Sequence, residues 1–422
     1  MKKSLSVLLV LCLFLIMVPT AMADAQEEIT ISIYNWGDAN DIEANNKAIA
    51  RFNEKYPNVK VIDQYQEKSI TWANYITKLL AQIAAGDAPD ICLMAIEGVY
   101  QLLSYDIMMP LNDFIENDPA AQETLSDVHQ SLIDGLSVNG ESYFFPCHWN
   151  GMILYCNAAM FEEAGIELPD TDWDWDDFLK TAQALTKGEG SSKVYGFDFF
   201  PHAIFMNLFT YSNGCSTLGP DLNTSNLNDP KVIESYQFIH DLIWKHGVMP
   251  IPQVGVDSAQ NQINGKVAMT ITGHNTVGAY KAANFEDLYV TYFPKNDKEN
   301  GSYIFGADGY GILKDAKNPQ ACWDLIMEFC SEQSQMEVAA AGVSNPARRS
   351  AANSEAFLAY PENAQVFYNI LDQGCKILPA PVHSAEYENL LARYYYEMMT
   401  QDGDITPYML AAHEELSEQF AQ

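Results

Sequence analysis

The chain has 422 residues, with 56 acidic side chains against 23 basic ones and a formal charge of −33 at pH 7. That balance excludes a general nucleic-acid binder, which needs a basic face, and argues against docking on anionic lipid or capturing anions by bulk charge. With 48% apolar and 12% aromatic residues, the acidity coats a folded protein, and the ligand it favours is neutral or cationic.

Met1-Lys2-Lys3, an apolar run over residues 5–18 and the small-residue site Ala21-Met22-Ala23 read as a secretory signal peptide spanning 1–23. A membrane anchor needs about 20 apolar residues, and Pro19-Thr20 cut this run short. Leu11 before Cys12, with so short an apolar stretch ahead of it, argues against a lipid anchor at Cys12. Cleavage leaves 399 residues, more than one core organises, and takes the formal charge to −35 as Lys2 and Lys3 leave. No later run is long enough to span a membrane, so the mature chain is expected to be soluble. Its seven cysteines cannot all pair. Apolar neighbours, as in Ile91-Cys92-Leu93 and Leu154-Tyr155-Cys156, predict buried free thiols.

Residues 29–34 form a β-branched run fit for a first strand, followed by Asn35-Trp36-Gly37-Asp38. A helix is predicted over 42–56, ended by Tyr56-Pro57, and a second strand over 59–62. Ile76, Leu79, Leu80, Ile83 and Ala84 repeat at helical spacing, with Gly86 placed for a left-handed cap and Pro89 forbidding a restart. Residues 91–95 read as a buried strand giving out in a polar turn at Glu97-Gly98. This β-α-β-α-β order implies a parallel sheet with right-handed crossovers, and such sheets bind ligands at the C-terminal edge of their strands. Residues 143–145 and 152–156 read as two strands around the connector 146–151, and Asn157 opens a helix ending near Gly165. Asp170 to Asp177 lacks the Gly of a calcium loop, so Asp174 is read as an N-cap with Asp177 at N3. A helix from Asp229-Pro230 to Trp244 follows, then strands over 265–273, 288–293 and 305–313, and a helix over 319–333.

In order, ITISIYNWGD, RFNEKYPNVKV, ITKLLAQIAAGDAPDI, YFFPCHWNGMILYCNAAMFEEAGI, DTDWDWDDFLKTAQALTK, GKVAMTITG, FGADGYGI, NPQACWDLIMEFCSEQSQ and Pro346-Ala347-Arg348 resemble the extracellular solute-binding proteins of ATP-driven sugar importers, the group that includes maltose-binding protein. The resemblance implies a type II periplasmic-binding-protein-like α/β fold, with two α/β domains joined by extended hinge crossovers around a ligand cleft. The domains would be discontinuous: residues 24–146 plus about 299–331, and 147–298 plus about 332–422. It further implies an exported monomer in the periplasm or on the outer face of the cytoplasmic membrane. That monomer would close on a mono- or oligosaccharide and deliver it to an ABC permease, without metal, cofactor or nucleic acid.

A sugar offers hydroxyls on its rim and apolar C–H faces, so its site combines aromatic platforms with carboxylates, amides, imidazoles and guanidinium groups. The predicted loops supply Trp36, Asp38, Asn40, Glu97, His148, Trp149, Asn150, Asn213, His274, Asn275, Asp308, Gly309, Tyr310, Arg348 and Tyr387. Each has a plainer reading: Trp36 and Trp149 as core, Glu97 and Asp308 as solvated loop, Arg348 in a surface salt bridge. His274-Asn275 stands where the family usually has a Gly-Pro-Trp turn, which puts the stacking role of that loop in doubt. Trp244 and Trp323 are expected in the core and Trp72 at the cleft rim. Two other functions stay open. A secreted glycosidase or lyase would need two carboxylates flanking one bond. A same-fold receptor for a cationic solute such as a polyamine would use Asp38, Glu97 and Asp308.

Overall fold

The computed structural model describes residues 28–67, 72–169 and 172–421; the signal peptide, Cys12, Thr71 and Asp170 lie outside the described residues. Strand Ile29–Gly37, helix Ala39–Lys55, strand Val59–Glu67, helix Trp72–Ala84 and strand Ile91–Ala95 follow one another as the alternation predicts. The three strands pair in parallel with Ile29–Gly37 in the middle. The sheet then turns antiparallel: Tyr303–Ile312 lies beside Ile91–Ala95, Phe145–Gly151 beyond it and Asn345–Pro346 at the edge. Cys375–Ile377 pairs with the start of Tyr303–Ile312, so two short strands from the 332–422 stretch lie on this first sheet.

The second sheet has the order Leu288–Thr291, Ile153–Asn157, Val267–Thr272, Tyr195–Asp198. Every residue of Ile153–Asn157 and Val267–Thr272 is buried, which is why these stretches read as continuous apolar runs rather than alternating ones. The chain crosses between sheets at one residue. Gly151 closes a strand of the first sheet, Ile153 opens one of the second, and the Met152 N–H donates to Ile304 O at 3.1 Å. It returns through residues 292–302.

Side-chain chemistry sets the boundaries. Asp38 N-caps Ala39–Lys55, accepting from the Asn40 N–H at 2.8 Å while Asp41 accepts from the Asp38 N–H at 2.7 Å. Gly86, at φ +80°, ends Trp72–Ala84 with its N–H on Ile83 O and the Asp87 N–H on Gln82 O. Asp174 caps Trp175–Leu185 by accepting from the N–H groups of Asp176 and Asp177, Asp229 caps Pro230–Trp244, and Gly165 closes Ala158–Ala164 in the left-handed conformation. Trp323 anchors the core behind the first sheet, stacked on Phe114 and edge-on to Phe145. Trp175, stacked on Phe238 at 4.2 Å, does the same behind the second.

Four expectations are corrected. The turn at Glu97-Gly98 is a helix, Ile96–Ser104, because Ile96, Val99 and Leu102 bury one face. Gly98 allows that helix to sit close to Met94 and Ile76. The connector 146–151 is itself a strand, Phe145–Gly151, in which Phe145, Cys147, Trp149 and Gly151 are buried while His148 and Asn150 are half-exposed. The stripe of Trp72–Ala84 is Tyr75, Ile76 and Leu79, with Leu80 and Ile83 partly buried against the core, while Ala84 is exposed. The single helix over 319–333 is two, Pro319–Phe329 and Glu332–Ala341, because Ser331 starts the second as its N-cap. No helix of the described residues is long and apolar enough to cross a membrane.

Candidate functional site

The C-terminal ends of strands from both sheets face one cavity of about 440 Å³, a volume within the range of small-molecule sites. Its first wall begins where Ile29–Gly37 ends. There Trp36 packs on Trp72 with ring centroids 4.7 Å apart, and Trp72 meets Tyr75 edge-on at 5.1 Å. Tyr75 is fully buried and donates its hydroxyl toward the carbonyls of Tyr34 and Leu93, so the aromatic ledge is held from behind. Asn45, one turn beyond Asp41 on the same helix, donates to the hydroxyls of Tyr65 at 2.7 Å and Tyr310 at 3.3 Å. Phe200 and His202 follow Tyr195–Asp198 onto the opposite wall with Phe205, and Thr272 and Asn275 come from the end of Val267–Thr272. Phe200 is 44% exposed, so the second sheet brings an open apolar ring to the cavity that the Trp36–Trp72 ledge also lines.

Glu97, from the helix after Ile91–Ala95, and His148 and Asp308, from neighbouring strands of the first sheet, also line the cavity. His148 Nδ1 is 3.0 Å from Asp308 Oδ1, and its Nε2 is 3.5 Å from Cys147 Sγ. Burial opposes charge on this ring, but its neighbours Cys147 and then Asp308 hold it above the ordinary imidazole range. The order Cys-His-Asp looks like a nucleophilic relay. Cys147, however, is fully buried, out of reach of anything in the cleft, and burial pushes its thiol well up. Burial, with the Asp308 charge adding to it, pushes the Glu97 carboxyl up to about 7. Burial likewise moves Glu388, on the neighbouring helix Ser384–Met399, to about 8, with the Glu97 charge contributing. His202 is pushed down to about 4 by burial. Among the described residues no Lys or Arg lines the cavity, and no group of three or more His, Cys, Asp or Glu could hold a metal ion.

Of the residues proposed from sequence, Trp36, Glu97, His148, Trp149, Asn150, Asn275, Asp308 and Tyr310 line this cavity. Asn150 and Asn275 join the two sheets' loops, the Asn275 N–H donating to Asn150 Oδ1 at 3.3 Å. The others lie elsewhere. Asp38 and Asn40 form the helix cap described above. Asn213 is buried and gives its Nδ2 to Glu234, Ser235 and the Lys231 carbonyl. His274 is buried against Phe357 at 4.6 Å, and burial pushes its ring down to about 3. Gly309 sits in the ladder where a Cβ would strike the Phe145 carbonyl. Arg348 is buried on Glu123, Thr124 and Asp127, and Tyr387 shares its hydroxyl with Asn207 and Thr217. Trp149, at 1% exposure, lies in the first sheet and donates to Pro346 O, while Phe200, His202 and Asn275 reach the cavity from loops of the second sheet. Sequence reasoning missed Asn45, Phe200, His202 and Phe205. The signal was present in Tyr195-Gly196-Phe197-Asp198 followed by Phe199-Phe200-Pro201-His202, a short strand with a ligand-facing loop after it.

Two α/β layers meeting across a cleft, each offering the C-terminal ends of its strands, define a type II periplasmic binding protein. The chain belongs to the bacterial extracellular solute-binding proteins, whose family model matches residues 47–365. It is similar to a Listeria monocytogenes ABC substrate-binding protein solved in complex with cycloalternan (TM-score 0.81, 21% identity, 94% of this chain and 100% of that one). It is also similar to a Thermotoga lettingae ABC transporter solute-binding protein bound with α-D-tagatose (TM-score 0.78, 20% identity, 93% and 100%). Among curated relatives, an arabinooligosaccharide-binding protein of Halalkalibacterium halodurans is 24% identical over 225 residues, 50% of this chain and 46% of its own. A putative binding protein of Brucella abortus is 26% identical over 211 residues, 48% of each. The chain spans about half the length of the curated relatives it matches.

Proposed function

We propose that this protein is an exported, monomeric carbohydrate receptor that closes its cleft on a mono- or oligosaccharide and hands it to the permease of an ABC importer. The observation that carries this reading is one mostly apolar cavity of about 440 Å³ lined by the Trp36–Trp72 ledge from the first sheet and by Phe200 from the second, with carboxylate, amide and imidazole groups set among them. Such a slot covers both C–H faces of a pyranose and leaves its rim to polar partners. The sugars bound by the structural neighbours, cycloalternan and tagatose, support the same reading. The protein performs no catalysis: it binds and releases.

The moving bodies are the two sheets with their helices, pivoting at Met152 and in residues 292–302. Contacts made only in the closed form shift the population toward closure, and the closed form is what the permease recognises. Intrinsic fluorescence and thermal unfolding across a panel of mono- and oligosaccharides test this. A bound sugar changes Trp36 emission and stabilises the fold by RT ln(1 + [L]/Kd), about 2.7 kcal/mol at a hundredfold excess over Kd. Silence across the whole panel refutes the reading. Product release over hours would reassign the protein as a glycosidase or lyase.

A further inference from the structure

Resting on the carbohydrate-receptor reading, we propose that Glu97 on the cleft wall and Glu388 beside it form an ammonium subsite, and that the captured sugar carries a primary amino group. Glu97 is only 8% exposed, stands on the cavity wall, and has an Oε2 atom with no hydrogen-bond partner. A buried acceptor left unpartnered is costly unless something arrives to satisfy it. Glu388 lies beside it on Ser384–Met399, a helix pinned at this point by the Ser384 hydroxyl donating to Glu97 O at 2.8 Å. Its carboxylate is 3.7 Å from His202 Nε2.

The titratable groups that share the cavity lining with Glu97 are carboxylates or imidazoles: Asp308 and His148 from the first sheet, Asp41 from the first helix, and His202 from the loop after Tyr195–Asp198. Among the described residues no Lys or Arg lines the cavity, burial pushes His202 down, and any charge on His148 is taken up by Asp308 at 3.0 Å. A hydroxyl-only sugar would leave the two acids to compensate each other. An ammonium has three donors and a charge, enough to satisfy Glu97 Oε2 and a Glu388 oxygen at once with charge-assisted bonds. Burial has already raised both carboxyls toward neutrality, as expected of sites that ionise fully only when a cation is delivered to them.

The plainer account is a pair of structural acids sharing protons, and the two accounts separate experimentally. Calorimetry at pH 7.5 compares glucosamine disaccharides with their hydroxyl and N-acetyl counterparts, and with spermidine, on wild type, Glu97→Gln and Glu388→Gln. The melting curve of each variant serves as the control for folding. The amino form is expected to bind at least about tenfold more tightly than its counterparts, and each Gln variant to shrink that preference to about twofold. Equal or tighter binding of the hydroxyl form, or an undiminished preference in both Gln variants, overturns the ammonium subsite and leaves the carbohydrate reading standing. Spermidine bound with no response to any sugar, or silence throughout, overturns the carbohydrate reading itself and the subsite with it.

Discussion

Glu97→Gln in the ligand-free protein tests the electrostatics of the cleft without reference to any ligand. The folded protein takes up a proton on this carboxyl at about pH 7, against an ordinary value of 4.5. The folded state therefore binds more protons than the unfolded chain between these values, and this group's contribution to stability falls as pH rises from 4.5 through 7. At about 1.36 kcal/mol per pH unit, the ionised carboxylate costs the fold roughly 3 kcal/mol at pH 8 and under about 1 kcal/mol at pH 5. Gln keeps the shape and cannot ionise. It also lifts the Glu97 charge from Glu388, which acts in the same direction. Urea unfolding followed by circular dichroism, wild type against variant, is expected to show the variant ahead by roughly 2–3 kcal/mol at pH 8, with most of that gap gone at pH 5. A gap of equal size at both pH values, or a variant less stable at pH 8, would refute the reasoning.

Arg348→Leu should destabilise the protein by about 3 kcal/mol in the same assay, because it strips a buried guanidinium from Asp127 and Thr124. Its sugar affinity, measured by calorimetry on the folded protein, should be unchanged, since Arg348 does not line the cavity. Trp36→Ala should weaken sugar binding by about tenfold or more in a fluorescence or calorimetric titration; unaltered affinity would remove the ledge from the site. Five of the seven described cysteines are buried, while Cys215 and Cys375 are half-exposed and burial raises both thiols. A thiol reagent at pH 8 should therefore label at most two groups in the native protein and all seven after denaturation, as read by mass.

What was legible in the sequence follows from the range of the forces involved. Caps and turns are local, so Asp174, Asp229, Gly86 and Gly165 announce their roles within four residues of their partners. The site was half legible for the same reason. Trp36, Glu97 and Asn275 follow runs that read as strands, and the edge rule finds them. Asn213, Arg348 and Tyr387 have the right chemistry for a rim but spend it on distant partners: Arg348 on Glu123 and Asp127, Tyr387 on Asn207. Nothing near them in sequence reveals that. The helix Ile96–Ser104 was missed because Gly98 reads as a breaker. Only the close approach to Met94 and Ile76 explains why a residue without a side chain stands there.

The single-residue passage at Met152 bears on how the chain tolerates change. The Phe145–Gly151 ladder is registered against Phe305 to Tyr310, and Ile153–Asn157 is registered on both sides, against Leu288–Thr291 and Val267–Thr272. Side chains alternate faces, so one added or deleted residue between Gly151 and Ile153 turns a whole strand over in one sheet or the other. Surface loops such as 250–256, where Val254 is 85% exposed, have room for added length. This joint has none, and descendants of the sequence can change its chemistry but not its count.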